Sequence, residues 1–304
     1  MLDYRIKTFL TVYQTCSFTL AAQELHITQP AVSQHIRHLE SHYGCALFAK
    51  HGHTIAPTPA ADALYHYMLA MNNDEKRIEL EIAELAHSGS GQHVHAPISL
   101  GCTRTIADYV APKLIAAHIK RHPNSRISLK SSNTQALLSH IEQGELDMAL
   151  VEGSFDRSAF DSEVFSREAF VAVAAPQFVA SAHKHWHPKH MHELLDYPVI
   201  LREHGSGTRE ILECSLAARN LAVDDFAQTY EFESIPAIKR CVKEGLGVTF
   251  IYQIAVAEEL SNGALVDITP SDFAVQHDFC LVWQRGSVLA DRYRALLNEW
   301  RAYA

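Results

Sequence analysis

Residues 16–64 read CSFTLAAQELHITQPAVSQHIRHLESHYGCALFAKHGHTIAPTPAADAL, and the beginning of this stretch predicts a short amphipathic helix. Phe18, Ala22 and Leu25 follow the spacing i, i+4, i+7, which places their apolar side chains on one helical face. Ser17 stands where an N-cap side chain accepts a backbone N–H, so we expect the helix to begin directly after it.

A second helix is predicted after a short break. Thr28 can cap its first turn, and Pro30 fits there because the N–H that proline lacks has no intrahelical partner at that position. Apolar side chains then repeat with helical spacing at Val32, Ile36, Leu39 and Tyr43. Gly44 ends the pattern, as glycine commonly does after a helix. The buried face of this helix is thereby fixed.

The opposite face of the second helix carries small and hydrogen-bonding side chains. At about 100° per residue it presents Pro30, Ser33, Gln34, Arg37 and Ser41. Small residues let a helix approach DNA closely, glutamine can pair with adenine, and arginine can pair with guanine or phosphate. This face suits the major groove of DNA. Periodicity alone leaves a second interpretation open, that of an ordinary helix with a solvated polar face.

The order of short motifs in residues 16–64 resembles the signature of the LysR-type transcriptional regulators. S-F-T-x-A-A, x-x-L, S/T-Q-P-A-V-S, I-x-x-L-E, G-x-x-L-F and T-P-A follow one another as in that family. The resemblance implies an N-terminal all-α winged helix-turn-helix domain over residues 1–58, with a wing at residues 47–59. It implies binding to double-stranded promoter DNA, and RNA polymerase as a partner. The implied DNA-binding residues are Ser17, Thr28, Gln29, Pro30, Ser33, Gln34, Arg37, Lys50, His53 and Thr58.

Permanent positive charge is scarce in this segment. The whole chain has a net charge of −9, and residues 1–65 hold four Lys or Arg against four Asp or Glu. Lys50 and His53 stand where the family commonly has arginine, so phosphate anchoring is expected to be weak. Six histidines can add charge at mildly acidic pH. We expect DNA affinity to rise from about pH 7.5 to about pH 6, unless Lys50 and the helix termini alone hold the phosphates.

The composition indicates a globular chain of about two domains. With 304 residues, of which 47% are hydrophobic, it can bury a substantial core. No export signal and no apolar run of about 18 residues is found, so a cytoplasmic location without a membrane partner is expected. The six cysteines show no zinc or disulfide spacing, and no motif indicates a cofactor. Motifs of serine hydrolases, zinc proteases and P-loop enzymes are missing too, so an enzyme is not expected.

Residues 59–91 are predicted to form a linker helix and hinge. Apolar or small side chains follow a heptad rhythm, interrupted by Glu75, and end near a linker-like break at residues 87–91. A dimerising coiled coil is favoured because paired helix-turn-helix units bind paired half-sites. A single helix packed on its own domain is the alternative, and the resemblance implies a homodimer or homotetramer. The heptad positions are Leu64, Met68, Met71, Ile78, Ile82 and Leu85.

The remaining residues, 92–304, predict an α/β fold with mainly parallel sheets. Strand-like runs (ISLGC, RISLK, DMALV, AFVAVAA, YPVIL, GVTFI, FCLVW) alternate with helical patterns at 106–121, 134–143, 207–219, 235–243 and 290–303. The motifs L-x-x-x-I-x-x-G-E-L-D-M-A-L and A-I-K-R-C-V-K-E-G-L-G-V resemble the LysR-type effector domain, which is similar to periplasmic binding proteins. That resemblance implies lobe one at 94–164 plus 270–304, lobe two at 165–269, and an effector cleft between them.

Candidate effector-binding residues follow from position, because ligands of open α/β sheets bind at the carboxyl ends of strands and at helix N-termini. Free N–H groups there favour a small anion or carboxylate. The stretch R-E-H-G-S-G-T-R at residues 202–209 also resembles the branch of the family that controls sulfur-assimilation and carbon-fixation operons. A plain strand-to-helix turn is the alternative for G-S-G-T. The candidates are Cys102, Thr103, Arg104, Thr105, Ser132, Asn133, Thr134, Arg202, Ser206, Gly207, Thr208 and Arg209.

These features predict a DNA-binding transcriptional regulator whose DNA binding is modulated by a small anionic metabolite. The alternative is a metal- or redox-responsive regulator. Cys102 lies where the resemblance places effectors, but no second cysteine is near it in sequence to resolve an oxidised thiol. Imidazole suits zinc, copper and nickel, and the candidate cluster consists of His183, His185, His187, His190 and His192.

Overall fold

The N-terminal part of the chain folds as a helical unit with a β-hairpin. The computed structural model describes residues 3–51, 54–87, 97–153, 155–182 and 188–303. Its first elements are α1 (Tyr4–Thr15), α2 (Phe18–Glu24), α3 (Gln29–Tyr43), β1 (Phe48–His51), β2 (Thr54–Pro57) and α4 (Pro59–His87). Strands β1 and β2 pair antiparallel, with Ala49 opposite Ala56. They form the wing beside the predicted helix pair.

The predicted starts of α2 and α3 are confirmed by their caps. The Ser17 hydroxyl accepts a hydrogen bond from the Leu20 N–H at 3.3 Å. The Thr28 hydroxyl accepts one from the Ala31 N–H at 3.4 Å. Gly44 follows α3 with a φ of 69°, the left-handed conformation that glycine adopts readily. Helix α1, which no motif considered above predicts, adds fully buried side chains to the same core.

Helix α4 extends for 29 residues and packs on both parts of the chain. Near its start, Leu64 and Met68 pack against the helix-turn-helix core, and Leu69 is buried in it. Further along, the Asn73 amide donates a hydrogen bond to the carbonyl of Glu142 at 2.9 Å. A single continuous helix therefore joins the helix-turn-helix to the C-terminal domain.

The C-terminal domain contains the other helices and strands. They are β3 (Ile98–Cys102), α5 (Arg104–Tyr109), α6 (Ala111–Arg121), β4 (Ile127–Ser131), α7 (Thr134–Glu142), β5 (Met148–Val151), β6 (Phe160–Ala174), α8 (Pro176–Ala182), β7 (Pro198–Arg202), α9 (Gly207–Ala217), β8 (Gln228–Phe232), α10 (Ile235–Lys243), β9 (Thr249–Tyr252), α11 (Gln253–Ser261), β10 (Val266–Asp267), β11 (Val275–Gln284) and α12 (Ala290–Arg301). The predicted α/β class is confirmed.

The main sheet is mixed, so the expectation of mainly parallel sheets was wrong for this part of the domain. Strands follow the order β10-β6-β11-β5-β3-β4, and β9 also pairs with β6. Strand β3 is parallel to β4 and β5, but β11 is antiparallel to both β5 and β6. The sequence pattern missed the first half of β6 (FDSEVFSRE) because it is too polar for a buried strand. This half pairs antiparallel with β11, which makes the sheet mixed.

The domain is two-lobed, as predicted. Strands β3, β4 and β5 belong to one lobe, and the parallel pair β7–β8 belongs to the other. The long strands β6 and β11 connect the two, with a register shift between Phe279 and Cys280. The predicted boundary between the lobes, at residues 164 and 165, falls within β6.

Several predicted features lie outside the described residues. These are residues 88–91 of the predicted break, His53 of the wing, and His183, His185 and His187 of the histidine cluster. Within the described ranges, no helix is both long and apolar enough to span a bilayer.

Candidate functional site

Helix α3 presents a continuous polar face to solvent. The Gln29 amide donates to Ser33 Oγ at 2.9 Å, and Arg37 Nε donates to the Ser33 carbonyl at 3.2 Å. Pro30, Gln34 and Arg37 are exposed. The buried side chains of the other face are Val32, Ile36 and Leu39. The predicted recognition residues therefore lie on one accessible surface.

The remaining predicted DNA contacts lie at helix caps and in the wing. The Thr58 hydroxyl donates to the Ala46 carbonyl at 2.8 Å and accepts from the Ala61 N–H at 3.3 Å. It thereby ties the base of the wing to the start of α4. Lys50 is in strand β1, and His53 is not described.

Two α3 side chains that sequence patterns left unassigned hold neighbouring elements. Glu40 Oε1 accepts the Leu47 N–H at 2.8 Å, which fixes the chain entering the wing. His35 Nδ1 lies 2.9 Å from Thr8 Oγ1 of α1. Burial lowers the pKa of His35, so this histidine adds less positive charge at mildly acidic pH than an exposed one.

A second site lies at the carboxyl ends of β3, β4, β5 and β7. A cavity of about 80 Å³ opens there, large enough for a small ligand group. Many predicted effector residues line it: Thr103, Arg104, Ser132, Asn133, Thr134, Arg202, Ser206 and Gly207. Glu152 and Glu203 line it too and were not predicted. The signal that could have found Glu152 is its position directly after the buried strand MALV.

Four buried polar atoms of residues that line this cavity have no hydrogen-bond partner among the described residues. They are Thr103 Oγ1, Glu152 Oε2, Arg202 Nη1 and Ser206 Oγ. A buried polar group without a partner costs about 1–3 kcal/mol, so such groups are rare in folded proteins. Ser206 is also the N-cap of α9, whose first N–H groups lack intrahelical acceptors. The cavity therefore concentrates unused hydrogen-bonding capacity.

Glu152 lies at the bottom of the cavity and is 2% exposed. Its Oε1 accepts hydrogen bonds from the Thr105 hydroxyl at 3.3 Å and the Thr208 hydroxyl at 3.4 Å. Burial raises the pKa of Glu152 from an ordinary 4.5 to about 7, although the Arg202 charge acts in the opposite direction. The Tyr252 hydroxyl faces the same carboxyl without a hydrogen bond of good geometry. Near neutral pH this carboxyl can exist as a neutral hydrogen-bond donor.

Arg202 supplies the buried positive charge of the site. Its Nε and Nη2 donate to the two carboxylate oxygens of Glu203 at 2.8 and 2.9 Å, which leaves Nη1 for the cavity. Arg104, which also lines the cavity, is 3.6 Å from Glu203 Oε1 and donates to the Glu233 carbonyl at 3.0 Å. The Glu203 carboxylate thus lies between the two arginines of the site.

Arg209 and Cys102 are predicted candidates that do not line the cavity. The Arg209 guanidinium is buried in ion pairs with Glu213, at 2.7 Å, and with Glu231. Its donors are therefore used within lobe two. Cys102 is fully buried, and burial raises the pKa of its thiol. A protonated, inaccessible thiol is a poor nucleophile, which argues against the redox alternative.

His190 and His192, the described members of the histidine cluster, contact each other, and His190 also contacts Asp272. The rings of His190 and His192 stack with centroids 5.5 Å apart. His190 Nδ1 lies 3.2 Å from Asp272 Oδ2. These two side chains are at the start of a short 3₁₀ helix, Met191–Leu194.

Two family models together match both parts of the chain. The family model "LysR substrate binding domain" matches residues 91–304, and "Bacterial regulatory helix-turn-helix protein, lysR family" matches residues 4–62. A RuBisCO operon transcriptional regulator of Allochromatium vinosum is 26% identical over 286 residues, covering 94% of this chain and 91% of that protein.

Solved regulatory domains share the fold of the C-terminal part. A sulfate-bound regulatory domain of an OxyR2 mutant from Vibrio vulnificus is 26% identical with a TM-score of 0.61, covering 71% of this chain and 100% of that one. The Synechocystis CcmR regulatory domain in complex with 2-PG is 21% identical with a TM-score of 0.59, covering 68% and 96%. This chain therefore belongs to the LysR family and is a DNA-binding transcriptional regulator with a two-lobed effector-binding domain.

Proposed function

We propose that a small anion binds in the cavity between the lobes and modulates binding of α3 to promoter DNA. The observation that carries the proposal is a set of buried donors on Thr103, Arg202 and Ser206, which line one cavity and have no partner in the described part of the chain. An oxyanion can accept hydrogen bonds from all three, and bonds to a charged group are the stronger ones.

The charges around the cavity favour an anion in spite of two glutamates. Glu203 is already neutralised by Arg202. Burial acts to raise the pKa of Glu203, but the hydrogen bond and charge of Arg202, a backbone hydrogen bond and the charge of Arg104 together hold it below the ordinary value. Glu152 can be protonated near neutral pH because its pKa is about 7. An anion then meets an arginine, two hydroxyls and a neutral carboxyl. The free N–H groups at the start of α9 add to the attraction.

The relatives suggest which anions to try. The OxyR2 domain holds sulfate and the CcmR domain holds 2-PG. The Allochromatium protein is a RuBisCO operon transcriptional regulator, which agrees with the carbon-fixation side of the predicted branch. Sulfate, phosphate and 2-PG are therefore the probes of choice.

We infer that the exposed face of α3 enters the major groove through Gln29, Pro30, Ser33, Gln34 and Arg37. We also infer that Lys50 and His53 of the wing contact DNA phosphates. We infer further that α4 pairs two copies, that the chain works with RNA polymerase, and that it acts in the cytoplasm, where promoter DNA lies. Residues 1–58, 59–91 and 92–304 are the proposed DNA-binding, linker and effector domains.

The test measures anion binding and DNA binding on the full chain. Thermal unfolding and DNA binding are each measured with sulfate, phosphate or 2-PG. The reference in both measurements is sodium chloride of equal ionic strength, since salt alone weakens DNA binding. A ligand at 100 times its Kd adds about 2.7 kcal/mol to the free energy of unfolding. Anisotropy of labelled DNA from upstream of the protein's own gene gives the DNA affinity with and without the same anions.

Two variants remove hydroxyls that have no partner among the described residues. For Thr103→Val and Ser206→Ala we expect unchanged or higher stability without ligand, and a Kd for the anion about tenfold or more weaker, since a hydrogen bond to a charged group contributes about 1.5–3 kcal/mol.

Thr249→Val is the matched control. Its hydroxyl is buried but donates to the Ile200 carbonyl at 2.7 Å, away from the cavity. We expect lower stability and an unchanged Kd. Arg37→Ala should lose DNA binding and keep the anion response. If wild type responds to the three anions only as it does to chloride, an anion site at this cavity is ruled out.

A further inference from the structure

A cluster of two histidines and one glutamate lies away from both sites described above. His118 is in the last turn of α6, and His122 follows that helix directly, four residues later. Glu299 comes from the C-terminal helix α12. We propose that these three side chains form a binding site for a divalent transition metal of the zinc type. This inference is independent of the proposed anion site.

The donor atoms of the cluster already converge. His118 Nδ1 lies 3.1 Å and His122 Nε2 lies 3.0 Å from Glu299 Oε1, and His122 Nε2 is 3.2 Å from Glu299 Oε2. The three donor atoms lie within 4.8 Å of one another. Bonds of 2.0–2.2 Å in a tetrahedral zinc site separate ligand atoms by about 3.3 Å. Side-chain shifts of about 1 Å would thus bring them into coordination distance.

The surroundings hold the ligands in a suitable orientation. His118 Nε2 lies 3.1 Å from Ser125 Oγ, which can accept its N–H and so leave Nδ1 as a metal ligand. The Tyr303 hydroxyl donates to Glu299 Oε1 at 2.9 Å, which orients the carboxylate so that Oε2 lies beside His122 Nε2, at 3.2 Å. Metal-binding histidines and carboxylates are commonly fixed by such outer partners.

An adjacent cavity provides room for a further ligand. It has a volume of about 240 Å³ and is lined by the two histidines and by Glu299. Two arginines also line it, but each has a carboxylate partner: Arg77 pairs with Asp147 at 3.0 Å, and Arg292 pairs with Glu81 at 3.2 Å. Water could therefore complete a tetrahedral site. Two imidazoles and one carboxylate suit zinc, cobalt or nickel better than magnesium or calcium.

The test is a metal titration of the full chain. Co²⁺ is added in the presence of excess glycine, which removes metal from isolated histidines, and is then displaced by Zn²⁺. We expect one equivalent of Co²⁺ with visible absorption bands and without the near-ultraviolet band of a thiolate ligand. His122→Gln and Glu299→Gln should weaken Zn²⁺ binding by at least about 100-fold, because loss of outer partners alone costs 10–100-fold.

His140→Gln is the matched control, because His140 also faces a glutamate, Glu145, at 2.8 Å. It should bind metal as wild type does. Far-ultraviolet circular dichroism checks that each variant is folded. If Glu299→Gln unfolds, His122→Gln provides the test, since a quarter of the His122 side chain is exposed. Wild-type affinity in His122→Gln, a thiolate band, or no tight equivalent in the wild type would each overturn the proposal.

Discussion

Glu152 is the side chain whose protonation we expect to control anion affinity. Its pKa is raised to about 7 by burial, and only the neutral form presents a donor instead of a negative charge to the ligand. For sulfate, whose charge is constant from pH 6 to 8, we expect a Kd about tenfold weaker at pH 8 than at pH 6, since the competent fraction falls accordingly. Isothermal titration calorimetry measures the Kd at each pH.

Glu152→Gln supplies the control because glutamine has the same shape and does not titrate. Its sulfate affinity should not change between pH 6 and 8. Because the folded pKa lies above the ordinary 4.5, the stability that this group contributes is present below about pH 4.5 and is lost as the pH rises through about 7. The variant should therefore gain up to about 3 kcal/mol over wild type at pH 8 and little at pH 4.5. Equal pH dependence in both proteins would refute the role of Glu152.

The sequence predicts which residues lie at the ends of strands better than it predicts the groups that their side chains bind. Thr103 and Ser206 could be predicted because they follow strands at helix starts, where the backbone leaves N–H groups free. Arg209 was expected at the ligand, but Glu213 and Glu231 occupy its guanidinium. The position of Glu231 on the neighbouring strand β8 depends on tertiary pairing, which a motif does not encode.

Helix α4 combines two different surfaces. Its first three turns bury apolar side chains in the helix-turn-helix core, whereas Met71, Ile78 and Ile82 of the heptad positions are 42%, 41% and 60% exposed. Exposed apolar side chains at heptad spacing are typical of a helix that pairs with a second copy. The heptad pattern was visible in the sequence because it depends on local periodicity alone.

A charge on the exposed apolar stripe should separate the copies without unfolding the chain. We expect Ile82→Glu to shift the oligomer toward monomer in sedimentation velocity, because the charge would be buried in the helix pair but is exposed in the single chain. Leu80→Glu places the same charge on the same helix, where the side chain is 55% exposed off the heptad positions, and should sediment like wild type. An unchanged oligomer in Ile82→Glu would contradict pairing through this stripe.

In the whole molecule, hydrogen bonds and an ion pair hold α4 against the lobe that carries β3 and β5. Asp74 is 6% exposed and accepts hydrogen bonds from the Ser287 hydroxyl and the Val288 N–H, both at 2.8 Å. Arg77 pairs with Asp147, whose carboxylate also accepts the Ser99 N–H at 2.6 Å. In sequence these polar α4 residues resemble a solvated face. Their partners lie about 70 or more than 200 positions away, so local patterns do not reveal the docking.

Because α4 is continuous from the helix-turn-helix to this docked lobe, we expect the anion signal to reach DNA through it. If the proposed anion site holds, Asp74→Ala should keep the wild-type Kd for sulfate, yet bring the ratio of DNA affinities with and without sulfate close to one. Loss of the buried acceptor should also lower the free energy of unfolding by about 1–3 kcal/mol. Glu79→Ala, exposed on the same helix, should respond like wild type. Anisotropy titrations of promoter DNA at constant ionic strength measure the ratio, and an undiminished sulfate response in Asp74→Ala would mean that the signal takes another route.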